Sequence, residues 1–187
     1  MTNIFFDVGD LKRCGKNVII GKTVRIRYPE LVEIADNVII DDFTYISTAL
    51  TIDSNVHIAS GCKIIGGPKT HVRFGSFSTL APNVVLAAGS DDYIGGIATP
   101  MVPIEYKGDV EMGDIIIGKH CIVGANSTVL PNVRFGDGAS LGAQSLAKSD
   151  LTAWCLYAGS PAKKIKNRNS KKIQALEAEF LAGKENV

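Results

Sequence analysis

The chain of 187 residues is long enough for one domain with its own core and a small appendage. Its formal net charge of +1 argues against a surface that recognises nucleic acid or membranes through charge alone, and no apolar run approaches the length of a transmembrane helix. We therefore expect no nucleic-acid partner and no membrane insertion.

The cysteines of the chain are scattered without paired spacing, which favours reduced thiols over disulfides or a zinc cluster. The opening residues, MTNIFFDVGD, lack a basic region followed by an apolar stretch. Both features predict a cytoplasmic protein. We interpret residues 1–16 as a lead-in to the first regular structure.

A period of six residues governs the chain from residue 17 onward. Two apolar or small positions separated by one exposed residue are typical of a β-strand, and a period of six is too long for an α-helix. Such short strands are stable only when coils stack on one another, so we predict a parallel β-coil over residues 17–155. The smaller of the two inward positions includes Cys62 and Cys121, which are therefore expected to be core residues. The larger position is held by Ile20, Ile26, Ile34, Ile40, Ile46, Ile52, Ile58, Ile64, Phe74, Leu80, Leu86, Ile117, Val123, Val129, Phe135 and Leu141.

Three interruptions break this period. They follow Ile26, Ile64 and Leu86, where the next repeat position comes eight, ten and thirty-one residues later instead of six. If three repeats make one coil, all three interruptions leave the stack at the same edge. Segments inserted at one place on a regular scaffold are where a site is expected. We call this the insertion edge, and it includes the inserted residues 66–71 and 88–113.

Two carboxylates and one imidazole are predicted to converge at the insertion edge. One coil of eighteen residues separates His71 from Gly89, so His71 is expected near Ser90 and Asp91. The opposing interpretation is that Asp91 and Asp92 cap a turn and that His71 is a surface residue.

The other two histidines are predicted to lie elsewhere. His57 stands between two inward residues and is expected to face solvent or a subunit contact. His120 lies at the next corner of the coil, away from the insertion edge of its own chain. From there it would reach only the site of a neighbouring subunit.

The segment 156–187 is predicted to close the coil. Gly159 and Pro161 interrupt the repeat, and a basic run follows from Lys163 to Arg168, which by itself is consistent with a solvated turn. After Ser170, three apolar residues (Ile173, Leu176 and Phe180) share one helical face. This pattern predicts a C-terminal amphipathic helix that packs on the coil or on another subunit.

The six-residue repeat resembles that of the hexapeptide-repeat acyltransferases over roughly residues 17–147. The resemblance implies a left-handed parallel β-helix, a triangular prism built from three repeats per coil. The stretch AGSPAKKIKNR also looks like the segment that closes the coenzyme A groove in that family. It implies contacts from Pro161 to the coenzyme and from Lys163, Lys164 and Lys166 to its phosphates.

A second stretch, YKGDVEMGDIIIGKHCIVGANSTVLPNV, is similar to the part of xenobiotic and sugar acetyltransferases that follows their long active-site loop. This resemblance implies acetyl-CoA, or another acyl-CoA, as co-substrate along the later coils, and no metal. It also implies a homotrimer with the coenzyme between two subunits. The backbone contacts that it implies are at Gly124, Ala125, Gly142 and Ala143.

The chain departs from those relatives at Asp91, where they usually hold a histidine that takes a proton from the acceptor hydroxyl. A subset of relatives that modify sugars of surface polysaccharides looks similar in having SDDY here. A hydroxyl needs a base, and an imidazole with a pKa near ~6.5 suits that role better than an ordinary aspartate near ~3.9. An amine needs less help and binds opposite a carboxylate.

We therefore predict an N-acyltransferase, most simply an acetyltransferase, that acts on the amino group of a nucleotide-linked amino sugar. In this hypothesis Asp91 or Asp92 positions the amine and His71 assists. The remaining substrate contacts are assigned to Ser90, Tyr93 and Glu105. The alternatives are a sugar O-acetyltransferase with His71 as base, a protein like the γ-class carbonic anhydrases, and a non-catalytic β-helix subunit.

Overall fold

The structure is a computed structural model that describes residues 7–184. Residues 1–6 of the predicted lead-in and residues 185–187 of the predicted closing segment lie outside the described residues. The strands are β1 (Arg13–Cys14), β2 (Ile19–Ile20), β3 (Arg25–Ile26), β4 (Val32–Ile34), β5 (Val38–Ile40), β6 (Tyr45–Ile52), β7 (Val56–Ile58), β8 (Lys63–Phe74), β9 (Thr79–Leu80), β10 (Val85–Ala87), β11 (Gly89–Ser90), β12 (Glu111–Met112), β13 (Ile115–Ile117), β14 (Ile122–Val123), β15 (Thr128–Val129), β16 (Arg134–Phe135), β17 (Ser140–Leu141), β18 (Leu146–Ala147), β19 (Cys155–Ala158) and β20 (Lys163–Asn167). Short 3₁₀ turns occupy Val8–Asp10, Pro29–Leu31 and Ile104–Tyr106, and the helix α1 spans Ser170–Lys184.

The strands stack in parallel on three faces of a solenoid. The first face carries β2, β5, β7, β9, β14, β17 and β19 in that order. The second carries β3, β10, β15 and β18 with the first halves of β6 and β8, and the third carries β1, β4, β13 and β16 with the second halves of these two strands. This arrangement confirms the predicted parallel β-helix. Strand β1 lies within the segment interpreted from the sequence as a lead-in.

The core is the set of stacked inward side chains that the six-residue period predicts. On the first face, Ile40 pairs with Ile58, Ile58 with Leu80 and Leu80 with Val123 in the parallel register, and all four side chains are fully buried. Each buried aliphatic side chain of this size contributes about 1.5–3 kcal/mol to stability. The repeat thus sets both the register and the hydrophobic core.

The two cysteines predicted to face inward are core residues. Both thiols are fully buried, at Cys62 and at Cys121. Burial raises the pKa of Cys62 to about 11 and that of Cys121 to about 12, so both thiols stay protonated near neutral pH. Packing therefore accounts for these residues without a chemical role.

The corners between faces require backbone conformations that few residue types adopt. Asn37, Asn55, Asn83 and Asn126 have positive φ angles between 57° and 62°. Asparagine tolerates this left-handed region better than most residues, so it suits a tight corner that connects two short strands.

All three interruptions leave the solenoid between the second and third faces, as the spacing predicts. The first forms the 3₁₀ turn at Pro29–Leu31. The second is a bulge within β8 (Lys63–Phe74): Gly67 pairs with Thr48 and His71 with Ala49, so residues 68–70 are extra. The third begins after Ala88, whose carbonyl accepts a hydrogen bond of 3.0 Å from the amide of Gly113 at the other end of the loop.

The C-terminal segment closes the solenoid as a hairpin followed by a helix. Strand β20 pairs antiparallel with β19 on the first face. Arg168 then donates hydrogen bonds of 2.7 Å to the carbonyls of His120 and Gly138, which fixes the start of α1. Helix α1 confirms the predicted C-terminal helix. Within residues 7–184 the structure has no helix with the length and apolar character needed to cross a bilayer.

Candidate active site

A cleft of about 280 Å³ lies at the insertion edge, where the long loop leaves the solenoid. Its floor forms because β11 and β12 pair antiparallel, with Gly89 opposite Met112 and Ser90 opposite Glu111. This pairing joins the two ends of the loop and turns its inner side towards strand β8. The lining residues are Ile65, Gly66, Gly89, Ser90, Asp91, Ile104, Lys107, Val110 and Met112.

Two glycines allow the loop to approach strand β8 closely. A Cβ atom on Gly66 would lie 2.8 Å from the Cβ atom of Ala88, and one on Gly89 would lie 3.3 Å from the Cα atom of Gly66. Larger side chains at these positions would push the loop off the solenoid and widen or fill the cleft.

The carboxylate of Asp91 lies in the cleft and is paired with Lys107. The ammonium nitrogen of Lys107 is 2.5 Å from Oδ1 of Asp91, and 42% of the Asp91 side chain is exposed compared with 15% for Lys107. Among the described residues, no hydrogen bond reaches Oδ2 of Asp91. This oxygen is therefore available to a ligand while the other oxygen is held by the lysine.

The neighbouring carboxylate of Asp92 has a different environment. Its Oδ1 accepts hydrogen bonds from the amides of Ile94 and Gly95 at 2.8 and 3.2 Å, and its Oδ2 accepts one from the amide of Asp109 at 3.0 Å. These backbone donors, with Ile94 contributing most, hold the pKa of the Asp92 carboxyl below its usual range. Asp92 therefore ties the two arms of the loop together, as in the turn-capping interpretation.

His71 is not where the count of eighteen residues per coil puts it. Its Nε2 atom lies 2.8 Å from Oγ1 of Thr51 on the preceding coil, and its amide donates to Asp114 at 2.8 Å. The residue below Gly89 is Gly66, and His71 does not line the cleft. The prediction that His71 neighbours Ser90 and Asp91 was wrong, because the extra residues inside β8 move the histidine past the corner onto the third face.

The electrostatic environment of His71 is that of a partly buried surface histidine. Burial lowers the pKa of its imidazole, and the nearby Arg73 lowers it further, while Asp114 and Glu33 oppose the change. The imidazole is therefore neutral near pH 7 and forms part of the third face.

The other predicted substrate residues lie on the loop at different depths. Ser90 lines the cleft, and its hydroxyl donates a weak 3.3 Å hydrogen bond to the carbonyl of Asp91. Tyr93 is 93% exposed, so its ring is left uncovered by residues 7–184. Glu105 is exposed in the 3₁₀ turn at Ile104–Tyr106 and is not among the cleft-lining residues.

The small residues expected to contact the coenzyme backbone stack at one corner of the later coils. The amide of Gly124 donates to the carbonyl of Leu141 at 2.8 Å, and a Cβ atom on Gly124 would lie 2.4 Å from the amide nitrogen of Ala143. Coil stacking by itself therefore requires glycine at 124. At the same corner, Gly142 and Ala125 are partly exposed, Ala143 is exposed, and these small side chains leave the backbone accessible.

The basic run after Pro161 is a strand. Lys163, Lys164 and Lys166 lie in β20 opposite Ala158, Tyr157 and Leu156, and all three are exposed, as is Pro161. Ala158, which pairs with Lys163, lies against Gly142, so β20 begins beside the corner of small residues.

The remaining histidines have structural partners. Nε2 of His57 lies 2.8 Å from the Asp41 carboxylate on the outer surface of the first face. His120 is buried, stacks on Phe77, and lies 2.8 Å from the carboxylate of Glu177 on α1. Neither residue lies at the insertion edge of this chain.

Two residues of the site, Lys107 and Gly66, could not be identified from the sequence. Lys107 lies sixteen residues after Asp91 in a segment without periodicity, so no spacing rule connects the two. Gly66 stands at the start of the predicted insertion 66–71, where a glycine indicates a turn as readily as close approach of another backbone.

Comparison with known proteins gives two similar acyltransferases. A protein of Escherichia coli described as dTDP-4-amino-4,6-dideoxy-D-glucose acyltransferase is 36% identical over 173 residues, which cover 90% of this chain and 88% of that protein. AntD, an N-acyltransferase from Bacillus cereus in complex with dTDP and 3-hydroxybutyryl-CoA, has a TM-score of 0.90 at 36% identity and covers 98% of this chain and 99% of its own. A variant of AntD in which a serine is replaced by cysteine, in complex with dTDP-4-amino-4,6-dideoxyglucose and coenzyme A, has a TM-score of 0.89 at 35% identity. The match covers 98% of this chain and 100% of that chain.

A more distant structure shares the fold alone. A maltose O-acetyltransferase from Clostridium difficile 630 is 17% identical with a TM-score of 0.59, over 87% of this chain and 73% of its own. No protein-family model matches the sequence.

Proposed function

The chain belongs to the hexapeptide-repeat family of acyl-CoA-dependent acyltransferases, and we propose that its acceptor is the amino group of a nucleotide-linked amino sugar. The observation that carries this proposal is the Asp91 carboxylate in the cleft, with one oxygen unpaired and no imidazole among the lining residues. A carboxylate binds an amine directly, whereas a hydroxyl acceptor needs a base of higher pKa.

The relatives support a particular substrate class. The Escherichia coli protein is described as an acyltransferase of dTDP-4-amino-4,6-dideoxy-D-glucose, and the AntD variant binds dTDP-4-amino-4,6-dideoxyglucose. We therefore propose a dTDP-linked 4-amino sugar as the acceptor of this chain. The product would enter surface polysaccharide or glycan synthesis. Acetyl is the proposed acyl group. Because AntD was crystallised with 3-hydroxybutyryl-CoA, the assay compares that longer acyl-CoA with acetyl-CoA.

In the proposed reaction the amine binds beside the unpaired oxygen of Asp91. After the amine loses one proton to solvent, its nitrogen lone pair attacks the thioester carbonyl carbon of acyl-CoA. A carbon–nitrogen bond forms, the carbon–sulfur bond breaks, and the second proton of the nitrogen ends on the sulfur of coenzyme A. Asp91 accepts a hydrogen bond from the amine and so orients its nitrogen. Most of the rate enhancement then comes from the alignment of the two substrates.

The proposed coenzyme site combines the small corner residues with the basic strand. The partly exposed backbone at Gly124–Ala125 and Gly142–Ala143 would contact the pantetheine chain through its amides. Pro161 would border the groove, and the exposed ammonium groups of Lys163, Lys164 and Lys166 would bind the phosphates as point charges.

We further propose a cytoplasmic homotrimer in which each site lies between subunits. Three large apolar side chains of the long loop support this assembly, because Tyr93, Ile94 and Met101 are at least 86% exposed in the single chain. We propose three parts of the chain: a lead-in (1–16) whose strand β1 already joins the third face, a β-helix (17–155) and a closing segment with a helix (156–187).

The alternatives are less compatible with the geometry. An O-acetyltransferase with His71 as base would need the imidazole near the acceptor, and its hydrogen bond is instead to Thr51. A γ-class carbonic anhydrase needs three histidines around one metal, whereas the three here bond to Asp41, Thr51 and Glu177. A non-catalytic subunit has no need of a cleft with a half-paired carboxylate.

Product analysis tests the proposal. The protein is incubated with acetyl-CoA or 3-hydroxybutyryl-CoA and either a dTDP-linked 4-amino sugar or its 4-hydroxy counterpart. We expect free coenzyme A and an alkali-stable amide from the amino sugar only. An alkali-labile ester formed only from the hydroxy sugar would instead establish O-acylation and refute the amine acceptor.

A further inference from the structure

Lys107 is the least exposed charged side chain of the cleft. Only 15% of it is accessible, and its ammonium nitrogen contacts one oxygen of Asp91 at 2.5 Å. An ammonium group that has lost most of its water needs a fixed anionic partner. The pair therefore belongs to the resting structure of the cleft.

The backbone around Lys107 is held as firmly as its side chain. Its amide donates to the carbonyl of Ile104 at 3.0 Å, and the amide of Ile97 donates to the carbonyl of Tyr106 at 2.9 Å. A Cβ atom on Gly96 would lie 1.9 Å from the Lys107 carbonyl oxygen, so the two arms of the loop touch here through backbone atoms. The backbone of Lys107 is therefore fixed beside Asp91, and a rotation of the side chain away from Asp91 would leave a largely buried ammonium group unpaired.

We propose that Lys107 is a positioning residue that balances the charge of Asp91, so that the second carboxylate oxygen holds the acceptor amine without favouring its protonated form. This inference rests on the proposed function and assigns a role to a residue that the proposed reaction does not otherwise use. It also explains how a single cleft can bind an amine and still let it react.

The reason is electrostatic. A carboxylate alone stabilises an ammonium ion, and an ammonium ion has no lone pair with which to attack the thioester. A cation fixed on the other carboxylate oxygen removes most of this stabilisation. The amine then keeps its hydrogen bond to Asp91 but releases its proton at a lower pH.

Other charged groups around the cleft make this balance necessary. Asp92, Glu105 and Asp109 lie on the same loop, and Glu111 lies on β12 opposite Ser90. On the packed strand β8 the cations nearest in sequence to Gly66 are Lys63 and Lys69, each three residues away and both exposed. Of the residues that line the cleft, Lys107 carries the positive charge and Asp91 the negative charge.

The pH dependence of kcat, measured with saturating amino sugar, tests the proposal in three variants, because kcat reports the protonation of the bound amine. Lys107→Met removes the charge, Lys107→Gln keeps a donor to Asp91 without the charge, and Lys107→Arg keeps the charge. We expect the acidic limb to move to higher pH by about one unit or more in the Met and Gln variants and to stay near the wild-type position in the Arg variant. Lys69→Met, outside the cleft lining, is the matched control and should leave the limb unchanged.

The possible results distinguish three cases: Lys107 positions the amine, Lys107 only stabilises the fold, or the acceptor is not an amine. A structural role alone would lower the melting temperature and reduce activity by the same factor at every pH, and this result would overturn the inference. An unshifted limb with a lower KM for the amino sugar in Lys107→Gln would also overturn it, since Lys107 would then merely compete with the substrate. If wild type makes no amide at all, the proposed function fails, and the inference that rests on it is overturned as well.

Discussion

Asp91 and Asp92 are adjacent in the chain but have different roles because their oxygens meet different donors. Both oxygens of Asp92 accept backbone hydrogen bonds within the loop, whereas Asp91 uses one oxygen on Lys107 and leaves the other unpaired. A carboxylate with satisfied oxygens stabilises structure, and one with an unpaired oxygen in a cleft binds a ligand. These environments are the reason why we propose the acceptor contact for Asp91 and not for Asp92.

Replacing Asp91 by Asn should reduce kcat/KM for the amino sugar by about 100-fold, because the amide keeps the shape of the side chain but loses the charge that orients the amine. Asp92→Asn is the matched control: it should loosen the loop, seen as faster limited proteolysis within residues 93–109, with a smaller loss of activity. His71→Ala should have little effect on catalysis. A loss in His71→Ala far greater than in Asp91→Asn would move the proton-accepting role to His71 and favour an oxygen acceptor.

Among the elements, β20 and α1 extend the solenoid in two different ways. Strand β20 projects three exposed lysines beside the corner of the later coils, while α1 packs back on the first face through Glu177 and Phe180. The strand is suited to binding an anion and the helix to closing the fold. These roles lead to one prediction for each element.

Neutralising the basic strand should weaken the binding of acyl-CoA. A charge-assisted contact contributes about 1.5–3 kcal/mol, so at least one of Lys163→Ala, Lys164→Ala and Lys166→Ala should raise the KM for acyl-CoA by about tenfold or more. The KM for the amino sugar should stay unchanged. Lys171→Ala and Lys172→Ala, at exposed positions of α1, serve as controls. If all three strand variants keep the wild-type KM, β20 does not bind the phosphates.

Acid should release α1 before it unfolds the solenoid. The hydrogen bond from Lys119 lowers the pKa of Glu177, and the one from His120 lowers it further. A lowered native pKa contributes stability above the pKa of an ordinary glutamate, about 4.3, and this stability is lost as the pH falls through the native value. The fluorescence of Trp154, the one tryptophan of the chain, whose ring lies 6.0 Å from His120, should report the release.

The matched variant for this transition is Glu177→Gln, which keeps the size of the side chain but cannot ionise. Its fluorescence should no longer change in the acidic range while the β-sheet signal in circular dichroism remains. An acid transition in Glu177→Gln at the wild-type pH would show that another group controls the docking of α1.

At the scale of the whole molecule, the solenoid is complete in one chain but the long loop is not. The core side chains are buried within the coils, yet Ile94 is 99% exposed and Met101 is 86% exposed. Apolar side chains grouped on one loop in this way mark a contact surface. The loop is therefore expected to be covered in an assembly of several chains.

We expect light scattering to give three times the 19.9 kDa mass of one chain. The double variant Ile94→Glu and Met101→Glu should dissociate the assembly and lose activity with it, because the site would lack its neighbouring subunit. Leu181→Glu, an exposed apolar position on α1, should leave the mass unchanged. A wild-type monomer with full activity would contradict the shared site.

The six-residue period by itself determined the stacked coil and its inward side chains, and together with the three repeats per coil that the family resemblance implies it predicted the register and the single edge of the insertions. Each repeat forms the same backbone hydrogen bonds to the next coil, so local spacing is enough to predict which side chains stack. The spacing does not predict the positions of residues at the insertion edge. There the extra residues lie within β8, and His71 is on the third face. Three features of the site depend on how an aperiodic loop packs: the contact between Asp91 and Lys107, the hydrogen bonds that Asp92 accepts within the loop, and the close approach of Gly66 to the loop. Only the tertiary structure decided them, because no repeated hydrogen-bond pattern relates those residues.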